Sequence, residues 1–270
     1  MEGGVIVDDF AACEEAIRGT CKQINQGEQV MAPRSISPIV KMPIEVQATD
    51  ALRDAIVNGV IAPGERITEL QLSDEMGLSR ATLRSALHQL AKEGLITLIP
   101  YTGWSVISMT SNDVWELYTL RSAVERLAAQ LLAKSIDNVG SDILRASLSK
   151  LVEACEASQG PAIAAADFAL HKAIIELTGH GRMIAQYGLI EQQIRMSIRS
   201  SDALITNGHE IIEQHKPIVD AIIDGDAERA GTLSEQHNLT EGRKLSDYLR
   251  AREDEAAPPT RSRKKTPRAS

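Results

Sequence analysis

From residue 111 to about residue 250 the sequence offers no convincing strand, and that constrains the fold more than any other feature of the chain. Apolar residues recur at the three- and four-residue spacing of a helix face over residues 112–134, 141–158, 161–178, 182–200, 210–224 and 226–250, and glycine, proline or asparagine stands near most of the breaks. Long helices joined by short loops fold back on their neighbours, so residues 111–250 are predicted to form an antiparallel all-α bundle. Aromatic residues are 3% of the 270, so its core has to be mostly aliphatic.

Residues 44–110 are patterned differently. "VQATDALRDAIVNG" sets Leu52, Ala55 and Ile56 on one helix face and stops at Gly59. "TELQLSDEMG" gives Thr68 and Gln71 the offset of a capping box, with Leu70, Leu72 and Met76 as apolar contacts. After Gly77, Ser79 is a suitable N-cap for a third helix. There Leu83, Ala86, Leu87 and Leu90 share one face, while Ala81, Arg84, Ser85 and His88 look the other way. "LITLIPYTGWSVISM" then reads as two β-like runs around a turn with Pro100 and Gly103. Three helices followed by a hairpin describe a winged helix-turn-helix, whose third helix enters the major groove N-terminus first while the wing lies on the backbone or in the minor groove. Arg80 and Arg84, on its first two turns, suit guanine O6 and N7 or phosphate oxygens. The chain's formal net charge is −8, so non-specific DNA affinity is expected to be weak.

The ends say less. Residues 1–43 are expected to be a disordered or partly helical extension, with a short helix around 9–25. Residues 251–270 are expected to be a disordered tail, because from Ala256 onward there are five basic residues, three prolines and no acidic residue. Cys13, Cys21 and Cys155 are scattered and lack CxxC spacing, which points to reduced thiols rather than disulfides or a cysteine zinc site. No apolar run approaches the roughly 18 residues of a membrane span, and the N-terminus lacks a signal peptide's pattern, so a cytoplasmic protein is expected.

Within residues 44–110 several elements stand in a specific order: "GVIAPG" at 59–64, "GLSRATLRSAL" at 77–87, "EGLI" at 93–96, and the wing glycine Gly103. This segment resembles the DNA-binding domain of the GntR family of bacterial transcriptional regulators. It departs from the family where Ala81-Thr82 replaces Thr-Pro, where Leu72-Ser73 replaces Leu-Ala, and near Leu70, where some relatives carry a basic residue. The resemblance implies DNA contacts from Ser79, Arg80 and Arg84, with Thr82 and the wing residues Thr102 and Gly103 as weaker candidates. Through "LYTLRSAVERLAA", "DFALHKAIIELTGH" and "EQHKPIVDAIIDGDAERAG" followed by "SEQHN", residues 111–250 resemble the FCD effector-binding domain of the FadR subgroup.

The bundle's chemistry lies in its histidines. Asp167 and His171 are four apart and share a helix face, while His215 and His237 belong to later helices. One carboxylate with three imidazoles suits a borderline divalent ion such as Zn, Ni or Mn and leaves coordination positions open. By spacing alone, Asp-x-x-x-His is more often a surface pair. The resemblance favours the metal, because these four positions match the ligand set of metal-binding FCD domains. It further implies a pocket for a small organic acid, for which Arg121 and Arg195 are candidate anchors; a surface ion pair is the alternative for each. His180 fits a helix terminus and His209 an exposed helix start. His88 fits either a phosphate contact or solvent, and Trp104 and Trp115 are expected to pack at the domain junction. The reading that follows is a homodimeric repressor on a pseudo-palindromic double-stranded operator, released by a carboxylic or sugar acid. Two alternatives stand beside it: a repressor with a purely structural metal, and a metal-dependent hydrolase. The hydrolase is disfavoured because no general base accompanies the ligands as the glutamate of HExxH does.

Overall fold

The computed structural model describes residues 42–205 and 207–256. The helix expected at 9–25, Cys13, Cys21 and the basic segment from residue 257 onward lie outside the described residues. The chain is mostly helical, with an N-terminal winged helix-turn-helix followed by an all-α bundle. The head comprises α1 (Ile44–Val57), β1 (Arg66–Ile67), α2 (Glu69–Met76), α3 (Arg80–Lys92), β2 (Ile96–Ile99) and β3 (Gly103–Val106).

Local chemistry sets these boundaries. Thr68 starts α2 by accepting the Gln71 N–H at 3.2 Å, and Gly77 ends it at φ +64°, a left-handed conformation that costs glycine little. Ser79 starts α3 by accepting the Thr82 N–H at 3.2 Å. The inner face of α3, formed by Leu83, Ala86, Leu87 and Leu90, is fully buried in one apolar cluster with Leu52 and Ile56 of α1, Leu72 of α2 and Trp104 of β3. Fully burying one such leucine contributes about 1.5–3 kcal/mol, so this face holds the head together. Arg53 of α1 locks the far end of α3 with hydrogen bonds of 2.7 and 2.8 Å to Glu93.

The sheet has three antiparallel strands in the order β1-β3-β2, one more than the sequence suggested. Arg66 and Ile67, to which the sequence pattern assigns no element, supply β1, in which Ile67 stands opposite Trp104. Two residues are too few to show a period, so tertiary pairing alone defines this strand. Trp104 packs inside the head rather than at the domain junction.

The bundle comprises α4 (Ser111–Ser135), α5 (Asn138–Glu156), α6 (Gly160–Leu177), α7 (Gly181–Asp202), α8 (Gly208–Ile223) and α9 (Ala227–Ala256). α4 and α9 run antiparallel in close contact, which Gly242 and Gly231 permit: a Cβ would lie 2.4 Å from Tyr118 Cβ at the first and 2.6 Å from Gln130 Cγ at the second. α9 continues to Ala256, past the boundary expected at 250. Glu253 holds it there by accepting the Ser111 N–H at 2.7 Å and the Ser111 hydroxyl at 2.8 Å, which caps α4. α7 reaches into the head, where Met196 is buried with α3 and β3. Among the described residues no helix is long and apolar enough to cross a membrane.

Candidate functional site

Two constellations carry chemistry. The first is the outer end of α3, where Ser79, Arg80 and Arg84 are exposed, Thr82 is half-buried, and the wing tip places Tyr101 and Thr102 in solvent. Ser79 and Thr82 join through their hydroxyls at 2.9 Å, so both are tied to capping α3 as well as available to phosphate. Arg84 is held by Glu69, the first residue of α2, with Nε–Oε1 at 3.0 Å and Nη2–Oε2 at 2.7 Å. This pairing occupies the side edge of the planar guanidinium. The end edge, Nη1 with the second hydrogen of Nη2, stays open, and that edge matches guanine O6 and N7. Glu69 therefore aims Arg84 without consuming it. The sequence reading missed Glu69 because its contact joins residues fifteen apart. Gly103 has φ +110°, and a Cβ there would lie 3.2 Å from the Ile67 carbonyl, so it has a sheet role independent of DNA. His88 rests edge-on against Trp104 at 5.0 Å between centroids.

The second constellation lies inside the bundle. Asp167 and His171 on α6, His215 on α8 and His237 on α9 converge, and ligand atoms of the three histidines all lie within 4.8 Å of one another. Asp167 Oδ1 is 3.3 Å from His171 Nε2, and its Oδ2 is 3.2 Å from His215 Nε2. His171 Nδ1 is 2.8 Å from Glu125 Oε2, and His215 Nδ1 is 2.7 Å from the Ile211 carbonyl. Each Nδ1 faces an acceptor and must carry the hydrogen, which leaves each Nε2 lone pair pointing inward. These two nitrogens are 3.2 Å apart. Asp167 Oδ1 and His237 Nδ1 are buried without hydrogen-bond partners among the described residues.

A cluster of inward acceptors in a buried site repels itself unless a cation neutralises it. A proton can do so. Burial opposes protonation of His171, but Glu125 and Asp167 outweigh it and push its pKa up to about 9. A divalent ion would fit better, because the three converging histidines could each offer it one ligand atom. The donors suit a borderline metal, and acceptors behind His171 and His215 fix both rings as outer-shell partners of metal-bound histidines do. His237 stays neutral, since burial and the neighbouring His215 and His171 hold its pKa well below the ordinary value.

Glu125 is the member that spacing did not reveal. It accepts from Arg121 Nε at 3.0 Å, Tyr187 Oη at 2.8 Å and Asn238 Nδ2 at 2.8 Å, besides His171. Burial alone would raise its pKa, but Arg121, His171 and Asn238 hold it well below the usual carboxylate range. Arg121 is 1% exposed, so it is no surface ion pair, and its Nη2 is buried without a partner among the described residues. Arg195 is half-buried, with its guanidinium over the Phe168 ring at 5.5 Å. His180 caps α7 by accepting the Met183 N–H at 3.2 Å, and His209 is exposed beside Glu213. Both are away from the ligand cluster, as their sequence positions suggested. Trp115, on α4, lies under the guanidinium of Arg243 of α9.

Comparison with known proteins bears on both constellations. The family model for bacterial regulatory proteins of the gntR family matches residues 45–106, and the FCD domain model matches residues 116–240. The HTH-type transcriptional regulator YdhC of Bacillus subtilis (strain 168) is 37% identical over 112 residues, 42% of this chain and 50% of that protein, so the match spans half the length of that relative. An HTH-type transcriptional regulator from the TAR-I ttuE-ttuC' intergenic region of Agrobacterium vitis is 30% identical over 131 residues, 47% of this chain and 77% of that one. The HTH-type transcriptional repressor GlaR of Escherichia coli (strain K12) is 28% identical over 204 residues, 70% of this chain and 90% of that one. Among solved structures, E. coli McbR/YncC superposes with a TM-score of 0.66 at 18% identity, over 77% of this chain and 99% of that one. That last likeness is one of fold.

Proposed function

Because the chain belongs to the GntR family of bacterial regulatory proteins, whose members are transcriptional regulators and not enzymes, we propose that it is a repressor released from DNA by a small carboxylic or sugar acid. The head, about residues 44–110, reads the operator, and the bundle senses the acid. A homodimer presents two α3 helices to a pseudo-palindromic site. Arg84 reads guanine through its open edge, Arg80 meets a phosphate or a base, and Ser79 and Thr82 meet phosphate at the helix N-terminus. Thr102 and Gly103 set the wing on the neighbouring backbone.

One observation carries the sensing half: Nε2 of His171 and of His215 stand 3.2 Å apart beside a buried Asp167 oxygen that has no partner among the described residues. Asp167, His171, His215 and His237 would hold a divalent ion of the Zn, Ni or Mn class. When bound, such an ion supplies positive charge and open positions for a carboxylate. Arg121, with its spare Nη2, orients the acid from α4, and Arg195 offers a second cation from α7. The acid shifts the two heads only as far as it binds their two arrangements unequally.

The test is the melting temperature of metal-loaded and chelator-treated protein across a panel of carboxylic and sugar acids. A ligand at a hundredfold excess over its Kd stabilises by about 2.7 kcal/mol, a shift of several degrees. The expected result is a response to one acid class that disappears on chelation and in His215→Ala. A chelator effect with no response to any acid would instead point to a structural metal and refute the sensing role.

A further inference from the structure

The wing of the head holds a backbone conformation that folding alone does not explain. Pro100, Tyr101 and Thr102 join β2 to β3, and the Thr102 N–H closes a tight turn on the Ile99 carbonyl at 3.0 Å. Tyr101 has φ +64°. Proline at the second position of such a turn and a positive φ at the third describe a type II turn, whose third position favours glycine or asparagine. Left-handed backbone is costly for a residue with a Cβ, and tyrosine lacks the short polar side chain with which asparagine offsets that cost. Its ring makes no compensating contact, because the Tyr101 side chain stands wholly in solvent. Strain held at an exposed loop tip points to a contact made with a partner.

The rest of the wing narrows what that contact can be. Residues 96–106, from the start of β2 to the end of β3, contain no charged side chain, so the wing has no cation with which to hold phosphate. Donors at its tip are nearly all spent: Pro100 has no N–H, the Thr102 N–H closes the turn, and the Thr102 hydroxyl is 3.3 Å from the Pro100 carbonyl. Among the described residues this leaves the Tyr101 phenol as the tip's free side-chain donor. Leu98 stands opposite Trp104, on the sheet face that packs with α3, and is exposed as well. The wing is therefore apolar on the side that α3 occupies, with one hydroxyl at its end. An apolar surface tipped by a single neutral donor matches the minor groove, whose floor presents only the acceptors adenine N3 and thymine O2 at A·T pairs and adds the guanine amino group at G·C pairs.

We propose, building on the DNA-reading role given to the head above, that Tyr101 is a specificity-determining residue that enters the minor groove beside the α3 site. Its ring packs between the sugar walls, and its Oη donates to adenine N3 or thymine O2. The wing then selects A·T pairs at the flank of each half-site, where a guanine amino group would crowd the ring and set a donor against a donor. Thr102 and Gly103 stay at the rim of the groove, on the backbone.

The experiment uses the full chain. Operators are selected from random duplexes with the parent, Tyr101→Phe and Tyr101→Gly, and affinity at several salt concentrations is measured beside the melting temperature. The parent should select A·T pairs outside the bases that α3 contacts. Tyr101→Phe keeps the ring, so it should bind about three- to tenfold more weakly and lose part of that preference. Tyr101→Gly should lose the preference altogether and bind more than about tenfold more weakly, yet melt no lower than the parent, because glycine adopts a positive φ at little cost. The slope of affinity against salt should stay that of the parent in both variants, since neither removes a cation. Parent affinity in Tyr101→Gly overturns the assignment, and parent behaviour in Tyr101→Phe overturns the hydroxyl's part in it. A loss of affinity that is uniform across sequences would put Tyr101 on a phosphate instead. A shallower salt slope would mean that the substitution had displaced an arginine elsewhere, and a lower melting temperature in Tyr101→Gly would place the ring in the fold; either result refutes the groove contact. If the parent selects no operator, the DNA-reading role of the head fails and the wing contact with it. A parent operator that neither substitution alters keeps that role and removes only the wing contact.

Discussion

The head and the bundle keep their charges in opposite ways. On α3 the arginines are exposed, and the one tied down is tied by one edge, so the groups proposed to read DNA cost the fold little and remain available. In the bundle Arg121, Glu125, Asp167 and His171 are all nearly sealed from solvent, and Glu125 alone accepts from four side chains. The lesson is that a site for a large, charged partner can be added to a surface, whereas a site for a small one has to be built into the core and carried by its energetics.

Removing one charge from each region should break that contrast most visibly. Glu125→Ala leaves the Arg121 guanidinium and the His171 ring buried without their counter-ion, and losing one partner of a buried pair costs about 3–5 kcal/mol. Chemical denaturation should show that loss, and a change below about 1 kcal/mol would mean that the network is far wetter than its geometry implies. Arg84→Ala, in contrast, should leave melting unchanged while abolishing specific binding to an operator selected from random duplexes. Retained affinity in that variant would remove α3 from the recognition role.

That contrast also explains what could be read in advance. Motif order in the head placed α1, α2, α3 and the wing, because glycines at turns and the N-caps Thr68 and Ser79 are local signals. Helix spacing likewise located every bundle helix, although α9 runs six residues past its expected end at 250. What stayed hidden was non-local. β1 exists only because β3 pairs with it, and Glu69 meets Arg84 only once α2 folds across α3. Glu125 gathers partners from α4, α6, α7 and α9, and no window of sequence contains them together. The histidine set was legible only through the family resemblance, since by spacing alone Asp167 and His171 read as a surface pair.

A smaller effect should sharpen the difference within the bundle. In metal-free protein the folded pKa of His171 is raised to about 9 from an ordinary 6.5. A raised folded pKa contributes stability that is complete below about 6.5 and is lost as pH rises through about 9. Metal-free protein should therefore melt lower at pH 9.5 than at pH 6.5. Metal has to displace that proton, so loading near pH 7.5 should release protons into weakly buffered solution, and affinity should climb with pH until about 9. Metal uptake without proton release would mean that His171 is not a ligand.

The smallest effect is expected where a histidine serves the backbone alone. His180 accepts the Met183 N–H through Nδ1 and is exposed, so His180→Asn replaces one N-cap acceptor with another. Asparagine is among the best N-caps, and the change in stability should stay within about 0.5 kcal/mol. Metal content should not move at all, in contrast to His215→Ala, although both variants remove one imidazole from the same domain. The pair thus separates histidine as a helix cap from histidine as a ligand. A drop in metal content in His180→Asn would mean that α7, through its N-terminus, shapes the ligand cluster on α6, α8 and α9.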